Sequence, residues 1–321
     1  MNMVTFKKNR IVIVGSYNKD ITIRTNKLPE KGETVLGELI NSGPGGKGAN
    51  QAVAAVRAGA EVCFITSVGM DDNGKEAIET LHKQGVEVRL IKKDKDLPTG
   101  TATIIVNPQG ENCIVVVPGA NSNLTAQDII QFEHEFSYFD IMLLQLECSF
   151  ETVLTAASLA QNNGTKVMLN PAPVQNFSIE LLEHINIITP NRVEAELITG
   201  MKIDGESSMR KVSSFFHEHG VDSVLITLGS EGVFISSNGF QKLISAHEVD
   251  VVDSTGAGDV LNGVFAATLN NEFSGLIESA IFASQAATLS VQKVGSQSSI
   301  PHLNEIHAFI KSLSKKSQLQ S

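Results

Sequence analysis

Short, continuous apolar runs alternate along the chain with longer segments whose apolar residues recur at helical spacing. Residues 141–144 (Ile-Met-Leu-Leu) and 224–226 (Val-Leu-Ile) are two such runs. A strand without polar alternation is buried on both faces, as in a mostly parallel sheet between layers of helices. The pattern therefore predicts an α/β fold. It places strands at 11–15, 61–67, 86–91, 139–145, 166–170, 186–188 and 222–227, hairpin strands near 232–236 and 240–244, and helices near 49–59, 72–84, 125–135, 150–163, 191–199, 208–219, 257–270, 275–292 and 302–313.

Two segments depart from this alternation. Residues 21–40 alternate loosely and contain the turn residues Pro29 and Gly32, while 101–117 predict two strands around the Asn-Pro-Gln-Gly turn at 107–110. Such strands favour a small separate sheet, with a peripheral hairpin as the alternative. We expect one domain over residues 1–321, with these strands inserted near 20–41 and 100–118.

Composition excludes several classes of protein. The chain has 321 residues, of which 42% are hydrophobic and 19% charged, as is typical of a soluble globular protein. Its apolar runs fall short of the ~20 residues that a membrane span needs, and residues 1–10 do not resemble a signal peptide. A net charge of −10 argues against nucleic acid as a partner. Three widely spaced cysteines in apolar contexts, Cys63, Cys113 and Cys148, suggest free thiols in a reducing compartment, so we expect a cytoplasmic protein.

A run of small residues, Gly256, Ala257 and Gly258, lies between Asp253 and Asp259, and an apolar segment with helical spacing follows. The start of a helix leaves backbone N–H groups without partners and carries partial positive charge, so it suits an anion. The small residues let a phosphate approach that backbone. Asp259 stands beside them as an acceptor for the proton of an attacking hydroxyl. The heptad predicts a phosphoryl-transfer site, with a capped glycine-rich turn as the alternative.

A second glycine-rich element, 43–50 (Gly-Pro-Gly-Gly-Lys-Gly-Ala-Asn), also leads into a helix of small residues. Upstream of it, 15–20 follow the apolar run 11–14. The side chains of these elements include donors and acceptors suited to several neighbouring hydroxyls, and the glycines let the backbone reach the same ligand. Together they predict a sugar site that includes Asn18, Asp20, Lys47 and Asn50.

Over nearly its whole length, from about 11 to 309, the chain resembles the ribokinase family of carbohydrate kinases. The resemblance rests on the order and separation of the segments 15–20, 45–51 (GGKGANQ), 144–147 (LQLE), 169–173 (LNPAP), 188–196 (ITPNRVEAE), 224–229 (VLITLG) and 253–259 (DSTGAGD). It implies a three-layer αβα sandwich with a mostly parallel central sheet and a small β-sheet lid. In that family the lid covers the sugar and commonly forms the contact of a homodimer. The resemblance also implies transfer of a phosphoryl group from ATP to the 5-hydroxyl of D-ribose.

The resemblance assigns Asp259 as the catalytic base, with Gly256, Ala257 and Gly258 as the anion hole for the transferred phosphoryl group. Glu147 ends a predicted strand, at the edge where parallel sheets bind ligands. Asn18 favours ribose, because relatives specific for deoxyribose tend to carry an apolar residue there. The charge of Lys19 beside it could shift sugar preference, as could Tyr17. The positions that match sugar-binding residues are Asn18, Asp20, Gly45, Gly46, Lys47, Asn50, Glu147 and Asp259.

The N-x-x-E element at Asn191 and Glu194 matches residues that arrange Mg²⁺ and the nucleotide phosphates, in part through waters that Mg²⁺ retains. An ordinary helix start with Asn191 as its cap is the alternative. The positions implied for ATP are Asn191, Glu194, Thr227, Gly229, Ser230, Gly232, Gly258 and Ser284.

The resemblance further implies a monovalent cation, usually K⁺, beside the anion hole. Several of its ligands would be backbone carbonyls. Lys293 can therefore be a ligand through its carbonyl, although its side chain is a cation. We expect K⁺ to activate the enzyme by ordering the anion hole. The matching positions are Asp253, Thr255, Ser290, Lys293, Gly295 and Ser299.

Three other interpretations compete with this one. Residues 43–48 formally fit G-x-G-x-x-G of a nicotinamide-dependent oxidoreductase, but the preceding segment is short and partly polar. A P-loop kinase would need Gly-Lys followed by Ser or Thr. Neither Gly46-Lys47 nor Gly74-Lys75 is followed by either residue. A non-catalytic sugar sensor is disfavoured by the presence of Asp259 and the glycines before it. Within the kinases, 2-deoxyribose, fructose or a nucleoside are the alternative substrates.

Overall fold

The computed structural model describes residues 6–175, 177–237, 239–269 and 273–319. Its strands are β1 (Arg10–Val14), β2 (Asn18–Thr25), β3 (Gly37–Gly45), β4 (Glu61–Ile65), β5 (Ser67–Gly69), β6 (Lys92–Asp94), β7 (Thr101–Val106), β8 (Asn112–Val117), β9 (Ile141–Leu144), β10 (Lys166–Leu169), β11 (Ile187–Ile188), β12 (Ser223–Thr227), β13 (Val233–Ser237) and β14 (Phe240–Ile244). Its helices are α1 (Lys47–Arg57), α2 (Asp72–Lys83), α3 (Ala126–Ile130), α4 (Glu133–Phe136), α5 (Phe150–Asn162), α6 (Arg192–Thr199), α7 (Glu206–Glu218), α8 (Ala257–Thr268), α9 (Phe273–Ser290) and α10 (Leu303–Leu319).

The large sheet has the strand order β14-β13-β12-β11-β10-β9-β1-β4 in the part of the chain that the structure describes. From β12 to β4 every neighbouring pair is parallel, whereas β13 and β14 are antiparallel additions at one edge. A crossover between parallel strands requires a long connection, and α1, α5, α6 and α7 lie in these connections. The predicted mostly parallel sheet is confirmed.

Strand β1 shows why two layers of helices cover the sheet. Ile11 and Ile13 point to one core, which contains residues of α1, α8 and α9, while Val12 and Val14 point to the other, which contains residues of α5 and α7. All four side chains are fully buried. Because successive side chains of a strand face opposite sides, an unbroken apolar run requires a core on each side. The αβα sandwich follows.

A second, smaller sheet has the order β3-β2-β7-β8. Strand β2 pairs antiparallel with β3 and parallel with β7, and β7 pairs antiparallel with β8. The side chains of β8 are exposed from one end to the other. These strands coincide with the segments 20–41 and 100–118, in which the sequence predicts inserted strands. The action of this sheet as a lid, and the assignment of one domain, stay predictions.

Two predicted elements are wrong in detail. Within 86–91 only Glu87 bridges β4, at Cys63, and residues 88–91 form a turn in which the Ile91 amide donates to the Val88 carbonyl. The nearby strand is β6, which pairs with β5. The predicted helix 125–135 is divided into α3 and α4, because the chain turns at residues 131–132 to bury Ile129 and Phe136 in one core. The predicted end of a helix at residue 270 lies outside the described residues.

None of the described helices is both long enough and apolar enough to cross a bilayer.

Candidate active site

The carboxyl ends of the parallel strands converge on the start of α1. Gln145, Asn170 and Thr189 each come directly after a strand, namely β9, β10 and β11. The turn after β1 meets α1 at two glycines, since a Cβ on Gly48 would lie 2.9 Å from the backbone of Gly15. This close approach brings the start of α1 to the edge of the sheet, where open parallel sheets bind ligands.

Asp259 lies in the first turn of α8, with only 7% of its surface exposed. Two adjacent amides of α1 hold its carboxylate: Asn50 Nδ2 donates to Oδ2 at 2.9 Å, and Gln51 Nε2 donates to Oδ1 at 3.0 Å. Burial raises the pKa of Asp259, and the charge of Glu147 adds to this, while the Lys47 ammonium and the two amide hydrogen bonds oppose it. A buried carboxylate with a raised pKa is suited to accept a proton.

Two more carboxylates and one ammonium lie beside Asp259. Burial and the charges of Glu147 and Asp259 raise the pKa of Asp20 to about 7. Burial lowers the pKa of Lys47, but the surrounding carboxylates, Asp259 first and then Glu147, outweigh this, so the pKa of Lys47 is raised. Glu147 is fixed by its Oε2 atom, which accepts from the Lys47 backbone amide at 3.1 Å and from the Ser16 hydroxyl. The cluster therefore collects acceptors for hydroxyl groups around a single positive charge.

Asn18 is 4% exposed and is oriented by a residue that the sequence analysis did not single out. Its Oδ1 accepts from Asn121 Nδ2 at 2.9 Å, and Asn121 is itself fixed by both backbone polar groups of Tyr17. The amide nitrogen of Asn18 has no partner among the described residues and is available to a ligand oxygen. Lys19 points to the other face of β2, where its ammonium contacts both carboxylate oxygens of Glu76 at 2.8 and 2.7 Å.

Asn191 and Glu194 form a reciprocal cap at the start of α6. Asn191 Oδ1 accepts from the Glu194 amide at 2.8 Å, and Glu194 Oε2 accepts from the Asn191 amide at 2.9 Å. Burial raises the pKa of Glu194, although the hydrogen bond from Asn191 and the charge of Lys47 lower it. The cap that the sequence analysis weighed as the alternative is present, and the charge of Lys47 also reaches this carboxylate.

The loop after β12 is tied to the same element, since the Thr227 amide donates to the Pro190 carbonyl at 2.9 Å. Gly229 and Gly232 adopt φ angles of +61° and +107°, a left-handed region that favours glycine. Ser230 lies exposed between them. Ser284 is buried in α9, where its carbonyl accepts from the Thr288 hydroxyl. The structure thus joins 227–232 to Asn191, and it gives Ser284 contacts within its own helix.

Asp253 joins the two segments expected at the monovalent cation. Its Oδ1 accepts from the Thr255 amide at 2.9 Å, and its Oδ2 accepts from the Gly295 amide at 2.8 Å. Burial raises the pKa of Asp253, but these hydrogen bonds outweigh it and lower the pKa. The Lys293 ammonium pairs with Glu305 at 2.8 Å. The Ser290 and Ser299 hydroxyls donate to the carbonyls of residues 287 and 296. Among the described residues no cluster of three or more His, Cys, Asp or Glu side chains could hold a metal ion.

A family model described as "pfkB family carbohydrate kinase" matches residues 8–303. The chain belongs to this family.

Relatives within the carbohydrate kinases match over almost their full length. The ribokinase of Haemophilus influenzae is 42% identical over 303 residues, which cover 94% of this chain and 99% of that protein. The deoxyribokinase of Salmonella typhi is 32% identical over 302 residues, with 94% and 98% covered. The structure of Arabidopsis thaliana ribokinase complexed with ribose and ATP superimposes with a TM-score of 0.85 at 29% identity, covering 95% of this chain and 99% of that one. The predicted family and the α/β sandwich with its small sheet are confirmed.

Three buried amides of the site were not among the predicted residues, although each stands in a segment that carried the resemblance. Gln51 ends GGKGANQ, Gln145 lies in LQLE and Asn170 lies in LNPAP. Their position in these matched segments was the one sequence feature that could have identified them as site residues. Their contacts with one another depend on the packing of strands and helices, which the sequence does not display.

Proposed function

We propose that this carbohydrate kinase phosphorylates D-ribose at its 5-hydroxyl with ATP as the donor, giving ribose 5-phosphate and ADP. The observation that carries the proposal is the Asp259 carboxylate, buried at the start of α8 and held by two amides beside the polar cluster of Asp20, Lys47 and Glu147. A general base beside an anion site and a hydroxyl-binding cluster is the arrangement that sugar phosphorylation needs.

In this proposal the sugar is held by groups whose hydrogen-bonding capacity is unused by the protein. Asn50 Oδ1 is buried without a partner among the described residues, which is costly unless a ligand hydroxyl donates to it. The carboxylates of Asp20 and Glu147 accept from further hydroxyls, and the amide nitrogen of Asn18 donates to one. Gly45 and Gly46 make room, because a Cβ on Gly45 would lie 2.0 Å from the Asp20 carboxylate and one on Gly46 would lie 2.7 Å from the backbone nitrogen of Asn18.

In the reaction, Asp259 takes the proton of the 5-hydroxyl as its oxygen attacks the γ-phosphorus of ATP in line with the departing ADP. The backbone N–H groups of Gly256, Ala257 and Gly258 and the positive end of α8 stabilise the charge on the transferred group. The Ala257 N–H, which donates to the Ser254 carbonyl at 3.2 Å in the structure, would exchange that bond for the phosphoryl oxygen. The charge of Lys47 lies close enough to Asp259 to affect its pKa, and it favours the ionised base. Most of the rate acceleration comes from positioning and charge stabilisation.

The residues that would hold ATP, besides Asn191 and Glu194, are Thr227, Gly229, Ser230, Gly232, Gly258 and Ser284. Carboxylate and amide oxygens suit Mg²⁺, so Asn191 and Glu194 would hold it, in part through water, without losing their place at the start of α6. When bound, Mg²⁺ neutralises charge on the phosphates.

The proposed monovalent cation site fits K⁺ because it consists of carbonyl and hydroxyl oxygens with one carboxylate. Its residues are Asp253, Thr255, Ser290, Lys293, Gly295 and Ser299. The Lys293 ammonium is bound to Glu305, so the ligand that Lys293 would offer the cation is its backbone carbonyl. K⁺ would order the segment that leads into the anion hole. Unchanged turnover after replacement of K⁺ by tetramethylammonium would contradict this activation.

The substrate is tested by a coupled ADP-release assay with Mg-ATP and K⁺, run side by side with ribose, 2-deoxyribose, fructose and adenosine. Asn18 favours ribose, since its side-chain nitrogen can donate to a hydroxyl that a deoxy sugar lacks. Selective turnover of ribose supports the proposal. Preference for 2-deoxyribose is the second candidate, favoured by the similarity to the deoxyribokinase of Salmonella typhi. Binding of ribose without turnover would support a sensor instead.

We also propose a cytoplasmic homodimer formed through the small sheet. Residues of β8, including Ile114, Val115 and Val117, present apolar side chains that are more than half exposed. A second copy of the chain would cover them. Sedimentation equilibrium would report a dimer, and a monomer at micromolar concentration would contradict this. The cysteines are free, which suits a reducing compartment.

A further inference from the structure

A chain of buried amides connects Asp259 to the edge of the large sheet. Gln51, fully buried, donates from Nε2 to Asp259 Oδ1 at 3.0 Å and to Asn170 Oδ1 at 3.1 Å. Its Oε1 accepts from Gln145 Nε2 at 2.6 Å. Asn170 Nδ2 in turn donates to the Thr189 carbonyl at 3.3 Å.

These bonds allow one orientation of the Gln51 amide. A flipped amide would direct Oε1 at the Asp259 carboxylate and at Asn170 Oδ1, both of which are acceptors, and would direct Nε2 at the donating nitrogen of Gln145. Three repulsive contacts would replace three hydrogen bonds. Gln145 imposes no orientation of its own, because its Oε1 is buried without a partner among the described residues. The orientation of Gln51 is therefore set by the Asp259 carboxylate and by Asn170 at the end of β10, which the Thr189 carbonyl fixes in turn.

The packing of α1 against α8 brings Gln51 within reach. Gly263 stands one helical turn after Asp259 on α8, and a Cβ there would lie 2.4 Å from the Gln51 carbonyl and 2.6 Å from the Ala54 Cβ. Residues i and i+4 share a face of a helix, so Asp259 and Gly263 both face α1. The missing side chain at 263 permits the approach that places the amide against the carboxylate.

We infer that Gln51 is a positioning residue for the Asp259 base. Its Nε2 holds Oδ1 of that carboxylate, and Asn170, at the end of β10, orients the Gln51 amide. This inference rests on the proposed function. Asn50 holds the other oxygen, so the carboxylate plane is fixed from two sides. A hydrogen bond to the charged form also favours ionisation in a site where burial opposes it. The charged groups that affect Asp259 are Lys47 and Glu147, with Asp20 and Glu194 in the same cluster.

The test is the pH profile of ribose phosphorylation by Gln51→Met, which keeps the length of the side chain and removes the donor. We expect kcat to fall roughly 10- to 100-fold, since a hydrogen bond to a charged group is lost. The acid limb of kcat should move to higher pH, because the base loses a donor that favours its ionised form. The KM for ribose should stay within about twofold, because Gln51 donates to the base and not to the sugar.

Two further variants separate positioning from folding. Thr152→Val also removes a buried hydrogen bond, to the Leu124 carbonyl at 2.6 Å, but on the other side of the sheet, so it should leave the acid limb in place. Gln145→Met removes the donor behind Gln51, and it should shift the acid limb in the same direction by less. This variant carries the test if Gln51→Met fails to fold.

An unmoved acid limb in Gln51→Met and Gln145→Met, with losses explained by a smaller folded fraction, would overturn the inference. The Asp259 carboxyl can also be titrated by ¹³C NMR, with Asp259→Asn giving the assignment. A higher pKa of that carboxyl in Gln51→Met supports the inference, and an unchanged pKa contradicts it, even if the wild-type protein does not phosphorylate ribose. Failure of the wild-type protein to phosphorylate ribose would contradict the proposed function, but it would leave this inference standing.

Discussion

The half of the candidate site that we propose binds the sugar (the sugar-facing half), around Asp20, Lys47 and Asp259, is held differently from the half that we propose binds the phosphates (the phosphate-facing half), around Asn191, Gly229 and Asp253. In the first half, hydrogen bonds join residues 100 to 209 positions apart in the chain. In the second half, Asp253 bonds to residues 2 and 42 positions away, and most contacts involve backbone N–H groups.

The two halves therefore differ in how a ligand would meet them. The sugar-facing half has its shape set by buried side chains before a ligand arrives, and it carries the cost of crowded charge. In the phosphate-facing half, the N–H groups of Thr255 and Gly295 are held by a single carboxylate, and Gly229 lies exposed with a left-handed φ, where a ligand that brings its own charge can approach the backbone.

The largest effect is expected from Asp259→Asn. Loss of the general base should lower kcat by a factor of roughly 10² or more, while ribose still binds. Steady-state kinetics combined with calorimetric titration of ribose would measure both. Asp204→Asn, at an exposed position, is the matched control and should have wild-type kinetics. Turnover near that of the wild type in Asp259→Asn would remove the base from the mechanism.

A pair of glycine variants compares the two halves directly. Gly263→Ala places a Cβ 2.4 Å from the Gln51 carbonyl, so α1 and α8 must separate. We expect the Tm to fall by about 3 to 10 °C and kcat to fall with it. Gly258→Ala meets nothing within 4 Å in the protein, so the Tm should hold while kcat falls roughly tenfold as the methyl crowds the phosphoryl group. Equal losses of Tm in the two variants would erase the distinction between the halves.

Asp20→Asn should expose the cost of charge in the sugar-facing half. Burial, Glu147 and Asp259 raise the pKa of Asp20 to about 7 in the folded protein. An acid whose pKa is raised on folding binds its proton more tightly in the folded state, so stability falls as pH rises from about 4 through 7. The variant, which cannot ionise, should therefore melt on the order of 2 to 5 °C higher than the wild type at pH 8, and the two should converge below pH 4.

The same variant should raise the KM for ribose, because an acceptor for a sugar hydroxyl is lost. Thermal melts across this pH range need no substrate, so they test the buried charge independently of activity. Asp72→Asn, whose side chain is fully exposed, is the control and should show no such convergence. A lower Tm for Asp20→Asn at pH 8 would mean that the ionised carboxylate stabilises the fold.

The smallest effect is expected at Lys19. Its ammonium contacts Glu76 on the face of β2 opposite Asn18, so Lys19→Met should change the ratio of kcat/KM for ribose over 2-deoxyribose by less than about twofold. Asn18→Ala should lower the same ratio roughly tenfold. If Lys19→Met changed this ratio as much as Asn18→Ala, the charge of Lys19 would take part in sugar preference, as the sequence suggested.

The sequence was sufficient for the large sheet, because continuous apolar runs such as 141–144 require burial on both faces. It was insufficient at 86–91, where Val86 and Leu90 are buried without forming a strand and so show the same apolar pattern as one. Lys47 and Asp259 stand in glycine-rich segments, which indicate ligand contact, whereas Glu147 and Glu194 were assigned from the resemblance. Gln51 and Asn121 act through contacts with residues 94 to 208 positions away, and local pattern contains no information about such pairs.

The most direct test of the central claim, that Asp259 faces the primary hydroxyl of ribose, is the position of the phosphate in the product. Ribose, Mg-ATP and K⁺ would be incubated with the enzyme, and the product examined by ³¹P NMR with proton coupling. We predict ribose 5-phosphate, whose phosphorus couples to the two protons of one methylene group. A product phosphorus that couples to a single proton would place the phosphate on a ring carbon and would contradict the account.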